Sequence, residues 1–397
     1  MRLRSKENRK ASRGNRRWLT AAAGVTVTAA VAVPAVSASA SQVHLSPVTG
    51  HVYLDDGTAG ANTIAGFSRH ADGTLTPIPG SPFKAGGAGT DAGLASQGAV
   101  QLAEGGRFLL AADAGSNQVS VLRVEPGGAL RSVSVASSGG VTPVSIAVHG
   151  SLVYVANAGA GGSNYTGFRL TTSGTLTPLS HSTVTLADSA QPGDVLFNAT
   201  GTRLVGTEVN SSLIDSFTVQ PDGRLRAAPG SPFKAQGIGP FGSGFRPTNP
   251  SQLFVTNAHN GTGLGTVSAF TDSPSGQLTS IGASPYADQQ TAPCWLAISP
   301  DGRYLFAVNT GSGFISSYSI SPGGALTLLG STQVSASGGV GAVDPGISPD
   351  GRYLYVNETK AGAVGTFAIG PNGSLTEVPG SPAALPAGAT AAGIAVS

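Results

Sequence analysis

The pattern Gly-x-Leu recurs seven times at nearly even intervals, ending at Leu75, Leu130, Leu176, Leu225, Leu278, Leu326 and Leu375. Successive Leu residues lie 55, 46, 49, 53, 48 and 49 positions apart. Self-similarity at a fixed period marks a repeat architecture, in which each unit buries its apolar face against the next. Each Gly is the second member of a turn pair, as in Asp72-Gly73, Ser173-Gly174, Asp222-Gly223 and Asn372-Gly373. Such pairs accept positive φ, which predicts a two-residue hairpin turn in every repeat.

Between these turns each unit divides into four short strands. In the fifth interval, residues 295–299, 304–309, 314–320 and 325–330 are apolar or alternating runs, and Pro300-Asp301-Gly302-Arg303 turns the chain between the first two. Residues 346–348, 353–357 and 363–369 repeat the series. Strict alternation, as in residues 119–124, is the period of a half-buried strand. No stretch after residue 40 carries a helical apolar period of helix length. The expected fold is therefore all-β: a seven-bladed β-propeller of four-stranded antiparallel blades. A linear solenoid is the alternative, and the chain ends argue against it. Residues 391–397 match an innermost strand and residues 50–55 a second strand, so the C-terminus is expected to complete blade 1 and remove two exposed edges. Residues 43–46 compete for that slot and are expected to be peripheral.

Composition separates the start of the chain from the body. Arg2, Arg4, Lys6, Arg9, Lys10, Arg13, Arg16 and Arg17 precede an uncharged run from Leu19 to Val36, Pro34 interrupts its end, and Ala38-Ser39-Ala40 offers a small-x-small cleavage site. Residues 1–40 are read as an export signal, with Arg16-Arg17 allowing the twin-Arg route. An uncleaved anchor is the alternative, at the short limit for a membrane span. Residues 41–49 form a lead-in and 50–397 the propeller. The 397-residue chain has 22 basic and 20 acidic residues, but the portion after Ala40 keeps 14 bases against 19 acids, a net charge of −5. A slightly acidic body without basic clusters offers nothing to a phosphate backbone, so nucleic acid is not an expected partner. Cys294 is the only cysteine, which excludes an internal disulfide.

The second strands share an aromatic-or-aliphatic, Val, x, Asn signature, seen in residues 152–157, 253–257, 304–309 and 353–357, and Ser-Pro-Asp-Gly-Arg-Tyr occurs at both 299–304 and 348–353. Over residues 50–397 the chain resembles the lactonase-family seven-bladed propellers, which include propeller-type 6-phosphogluconolactonases and carboxymuconate cyclases. The resemblance implies a catalytic set of an Arg-His pair opening one inner strand, a His on another, and a Glu closing a second strand. Glu208 matches the Glu. Gln191-Pro192-Gly193-Asp194 stands where Pro-Arg-His is expected, and Thr142-Pro143-Val144-Ser145 replaces Pro-His-Ser. Opening a lactone requires a donor set or cation for the anionic intermediate and a base for water. Glu208 supplies the base; the donor is missing.

In a propeller the ends of second strands and the starts of inner strands share one face. That face would gather Gln97, Asp113, Asn157, Gln191, Asp194, Asn257, Trp295, Asn309, Asp344, Asn357 and Glu358 as ligand-binding candidates, with Glu208 and His259 as catalytic candidates. Each has a structural alternative: Asn side chains cap turns, a loop His is often simply exposed, and Trp295 is either core or a stacking platform. Carboxylates and amides on a ring suit Ca²⁺ chemically, but no loop has dense acidic spacing, so no cofactor or metal is expected. The body is expected to be a secreted or envelope-associated monomer, free of the membrane after signal cleavage. It would bind a small molecule, glycan or protein on the axial face. A lactone-hydrolysing or cycloisomerase-like enzyme using Glu208 on an unphosphorylated lactone, and a structural surface component, are the alternatives.

Overall fold

The computed structural model describes Gly24 and residues 46–334 and 341–397. The export-signal reading, and residues 43–45 of the competing strand, fall outside the described residues. Seven antiparallel sheets follow one another along the chain, each a four-strand path. Blade 1 runs Leu75–Pro77, Thr63–His70, Val48–Asp55, and then the C-terminal strand Ala392–Val396 innermost. The closing strand pairs Val52 with Val396 and Leu54 with Ile394. Arg69 clamps the end of the chain, its Nε donating to the Ser397 carbonyl at 2.9 Å. Buried Val, Ile, Leu, Phe and Tyr from facing sheets fill the spaces between blades, as with Tyr154, Leu204 and Phe217 between blades 3 and 4.

All seven repeated Leu residues open the outer strand of their blade. The turn before each differs from the expected two-residue form. In blade 1 the Gly73 N–H donates to the His70 carbonyl and the His70 N–H to the Thr74 carbonyl, both at 2.9 Å, and Gly73 has φ +85°. This is a three-residue loop closed by a left-handed glycine, and the same pair of bonds recurs in all seven blades. A type I turn followed by a left-handed residue suits the strand twist as well as the primed turns do.

A second departure lies at the outer edge. In five blades the outer strand is three residues long, and the chain then returns to pair two residues with the third strand, as Phe83–Lys84 does with Thr63 and Ile64. Before this return a serine hydroxyl accepts a third-strand N–H: Gly66 to Ser81, Gly167 to Ser182, Ser216 to Ser231, Ala269 to Ser284 and Thr366 to Ser381. Blades 2 and 6 instead carry continuous outer strands, Leu130–Ser137 and Leu326–Gln333.

Candidate functional site

Every second strand ends in an acid or amide: Asp55, Asp113, Asn157, Glu208, Asn257, Asn309 and Glu358. Asp55 was not among the sequence candidates; its place in the sevenfold register was the available signal. All seven are buried. Several bond to their own third strand: Ser120 Oγ donates to Asp113 (2.6 Å), Asn257 Nδ2 to Ser268 Oγ (2.9 Å) and Asn309 Nδ2 to Ser316 Oγ (3.0 Å). Asn157 Nδ2 reaches Asn164 and the Ser138 carbonyl. Asn357 lies one residue before the strand end and donates to the Ala391 carbonyl (2.8 Å). Links between blades pass directly over these side chains. A Cβ on Gly140 or Gly237 would stand 2.6 Å from the Cβ of Asn157 or Asn257, which accounts for glycine in those links.

The inner-strand candidates behave differently: they meet at the axis. Residues 96–98, just before the inner strand of blade 2, cross it as a strap. Gln97 Nε2 donates to the Ser243 carbonyl of blade 5 (2.8 Å), and its Oε1 accepts the Leu296 N–H of blade 6 (3.0 Å). The Gln97 N–H donates to the Gly193 carbonyl of blade 4 (2.8 Å). Ser96 Oγ donates to the Val144 carbonyl of blade 3 (2.7 Å), while the Ser96 carbonyl accepts Trp295 Nε1 (2.7 Å). Trp295 is therefore core, edge-on to Phe241 with ring centroids 4.9 Å apart. Asp344 of blade 7 accepts the Gly98 N–H (3.3 Å) and the Gly393 N–H of the closing strand (2.9 Å). One short segment thus touches, directly or through Asp344, the inner strands of all the other blades.

Two buried carboxylates sit in this hub. Asp194 accepts Ser243 N–H (3.0 Å), Ser243 Oγ (2.7 Å) and Ser145 Oγ (3.2 Å). Burial nevertheless pushes it up to about 7, the hydrogen bonds opposing. Asp344 is also pushed up to about 7, chiefly by burial, with a smaller contribution from the charge of Asp194.

Glu208 closes the second strand of blade 4, paired with Pro192 of the inner strand. Ser211 Oγ donates to its carboxylate, and Asp215 lies beside it on the third strand. Burial, then the Glu208 charge, pushes Asp215 up to about 7. Tyr165 of blade 3 donates its hydroxyl to Asp215 (3.0 Å). Sequence reasoning missed Asp215, an acid at an ordinary alternating position of a third strand. His259 is exposed in the loop after the second strand of blade 5, its backbone N–H bonded to the Ile238 carbonyl (2.9 Å). Burial pushes the Cys294 thiol up to about 11. Among the described residues, no group of three or more His, Cys, Asp or Glu side chains could hold a metal ion.

Beside the strap, between blades 3 and 4, lies a groove of about 450 Å³. Leu94, Ala95, Val144, Ala158 and Pro192 give its apolar lining, and Thr142, Gln191, Asn210 and Asp188 its polar lining. Of the sequence candidates only Gln191 lines it, and the lining residues include no cation and no histidine.

The molecule is thus a seven-bladed propeller with its axis closed by its own strap and a groove on the face where inner strands begin. Its sequence matches the family described as lactonase, 7-bladed beta-propeller over residues 60–197 and 252–382, and the chain belongs to that family. No curated protein matches it. Among solved structures it is similar to a candidate 6-phosphogluconolactonase from Bacteroides uniformis ATCC 8492, with a TM-score of 0.70 at 20% identity over 88% of this chain and 99% of that one. It is also similar to the periplasmic gluconolactonase PpgL of Pseudomonas aeruginosa, with a TM-score of 0.67 at 17% identity over 87% and 99%. At these identities the likeness concerns the fold.

Proposed function

We propose that this lactonase-family propeller is an exported binding protein that holds a small molecule or glycan in the site-face groove and has lost the family's hydrolytic set. The observation that carries this reading is the placement of the residues at the matching positions. Val144 and Gly193 bring no donor, Asp194 is locked in the axial hub, and Glu208 is turned to Ser211 and Asp215. A binding cleft needs a concave, mostly apolar wall with a few convergent polar groups, which the groove provides. The net charge of −5 after Ala40 supports a partner other than nucleic acid, and the leader at residues 1–40 supports secretion or an envelope location. A monomer free of the membrane after signal cleavage completes the proposal; among the described residues, no helix is long and apolar enough to cross a membrane.

One observation favours a hydrolase instead. Asp215 lies beside Glu208 and is pushed up to about 7, chiefly by burial, so it holds a proton that can move near neutral pH. A turnover assay on glucono-δ-lactone and carboxymuconolactone, with wild type and Glu208→Gln side by side, separates the two. The binding reading expects hydrolysis at the buffer rate from both. Turnover by wild type that Glu208→Gln abolishes would replace it with the enzyme reading.

A further inference from the structure

The groove's chemistry can be taken further, on the premise that it is the binding site. The first clue is a recurring backbone position. In blades 3 to 6 the residue before the proline that opens the inner strand has positive φ: Thr142 (+55°), Gln191 (+50°), Gly239 (+67°) and Ala292 (+56°). At each, the carbonyl accepts an N–H from just beyond the second strand, as with Ala158 to Thr142 (2.9 Å) and Val209 to Gln191 (3.0 Å). Left-handed backbone costs a non-glycine residue about 1–2 kcal/mol, and a β-branched side chain suits it least. Blades 5 and 6 meet the requirement with the two smallest residues. Blades 3 and 4 place Thr and Gln there, and these two side chains line the groove. Glycine would carry no strain at either position, and at both the residue present lines the groove.

The second clue is what Thr142 and Gln191 face. No hydrogen bond among the described residues takes up the side chains of Thr142, Gln191 or Asn210. They leave hydroxyl and amide groups free to donate and accept. Asp188, whose Oδ1 accepts the Gly161 N–H (2.9 Å), is the only charged lining residue. Leu94, Val144 and Pro192 supply apolar lining to the same groove. A phosphate or carboxylate entering here would meet the Asp188 carboxylate and no cation, leaving neutral hydroxyl and amide donors alone to replace its hydration against that repulsion. A ring with hydroxyls at its edge and C–H groups on its face matches both the polar and the apolar lining.

We infer that the groove between blades 3 and 4 selects an uncharged, polyhydroxylated ring and rejects its phosphorylated or oxidised counterparts, with Thr142, Gln191 and Asn210 as the hydrogen-bonding wall and Asp188 accepting ring hydroxyls. The probes are glucose, galactose, mannose and glucono-δ-lactone against glucose 6-phosphate and gluconate, read by calorimetric titration and by thermal shift. At least one neutral probe is expected to bind, at least tenfold more tightly than its anionic counterpart. Thr142→Gly and Gln191→Gly relieve backbone strain, so both should fold with a melting temperature at or above wild type while neutral-sugar affinity falls at least fivefold. Ala292→Gly, at the same backbone position outside the groove, should leave affinity unchanged.

Tighter binding of an anionic probe, or no binding by any neutral probe, overturns the inference. So does neutral binding that survives both groove variants. If an anion binds and the groove variants abolish it, the groove remains the site and only the ligand class fails. If a neutral lactone is hydrolysed with dependence on Glu208, the ligand class stands and the binding-only function fails.

Discussion

The rim and the axis of this propeller both join neighbouring blades, by opposite means. At the rim one device is copied seven times: a left-handed glycine closes the turn, and its tight backbone lets a side chain of an adjacent blade lie against it, as Tyr353 does at Gly73 and Tyr304 at Gly373. At the axis copying is partial: Ser145, Asp194 and Asp344 each accept an N–H from the inner strand of the next blade. Gln97 and Trp295, by contrast, make bonds across the centre that no other blade repeats. Repetition suffices where each joint has one neighbour. A centre shared by seven sheets loses its full equivalence once one segment crosses it, and residues 96–98 break the symmetry there.

If the axis is the less replaceable joint, removing its largest buried contact should cost more than damaging one rim turn. Trp295→Ala removes the ring packed on Phe241 and leaves the Ser96 carbonyl without its donor. A buried Trp→Ala change costs about 3–5 kcal/mol, so a loss of about 4 kcal/mol in denaturant unfolding is expected. A loss below about 1 kcal/mol would mean that the hub is incidental to closure.

The two hub acids sharpen the contrast through pH. Asp194 and Asp344 stand at about 7 in the folded chain, above the unfolded carboxylate value of 3.8. The folded state therefore binds more protons between about pH 4 and 7, and stability falls as pH rises through that window. Asp215 and Asp272, both pushed up to about 7 by burial, add to the slope. The melting temperature should be higher at pH 5 than at pH 8, with a shallower slope in an Asp194→Asn, Asp344→Asn double variant. A flat wild-type profile would show that these carboxylates ionise in place without cost.

What could be read in the sequence follows the same division. The Gly-x-Leu spacing exposed the blade number, because a repeated residue announces its role at every copy, and the resemblance of residues 391–397 to an innermost strand exposed the closure. The return segments after the short outer strands were missed although Ser-Pro-Phe-Lys occurs at both 81–84 and 231–234. Two-residue pairings carry no period to detect. The site was less legible still. That Gln97 reaches Ser243, 146 positions away, depends on the strap's path and not on any local pattern. The acid and amide ends of the second strands looked like ligand groups because their register is regular; their burial under the interblade links is set by tertiary packing.

The smallest expected effect tests the rim. Gly373→Ala at φ +71° costs about 1–2 kcal/mol for the left-handed backbone. The lost freedom of glycine in the unfolded chain returns about 0.4–1 kcal/mol. The new methyl would stand 2.5 Å from the Tyr304 ring, whose hydroxyl donates to the Pro371 carbonyl of the same turn (2.5 Å). The ring must shift or that bond must lengthen, at about 1 kcal/mol for a typical hydrogen bond. The net loss is about 2 kcal/mol, half that expected for Trp295→Ala, and six intact copies of the turn remain to hold their own blades. Calorimetric unfolding of the two variants at one pH gives the ranking directly. If Gly373→Ala proves the more damaging, the ring is held from its rim, and the convergence of bonds on residues 96–98 is a consequence of closure, not its cause.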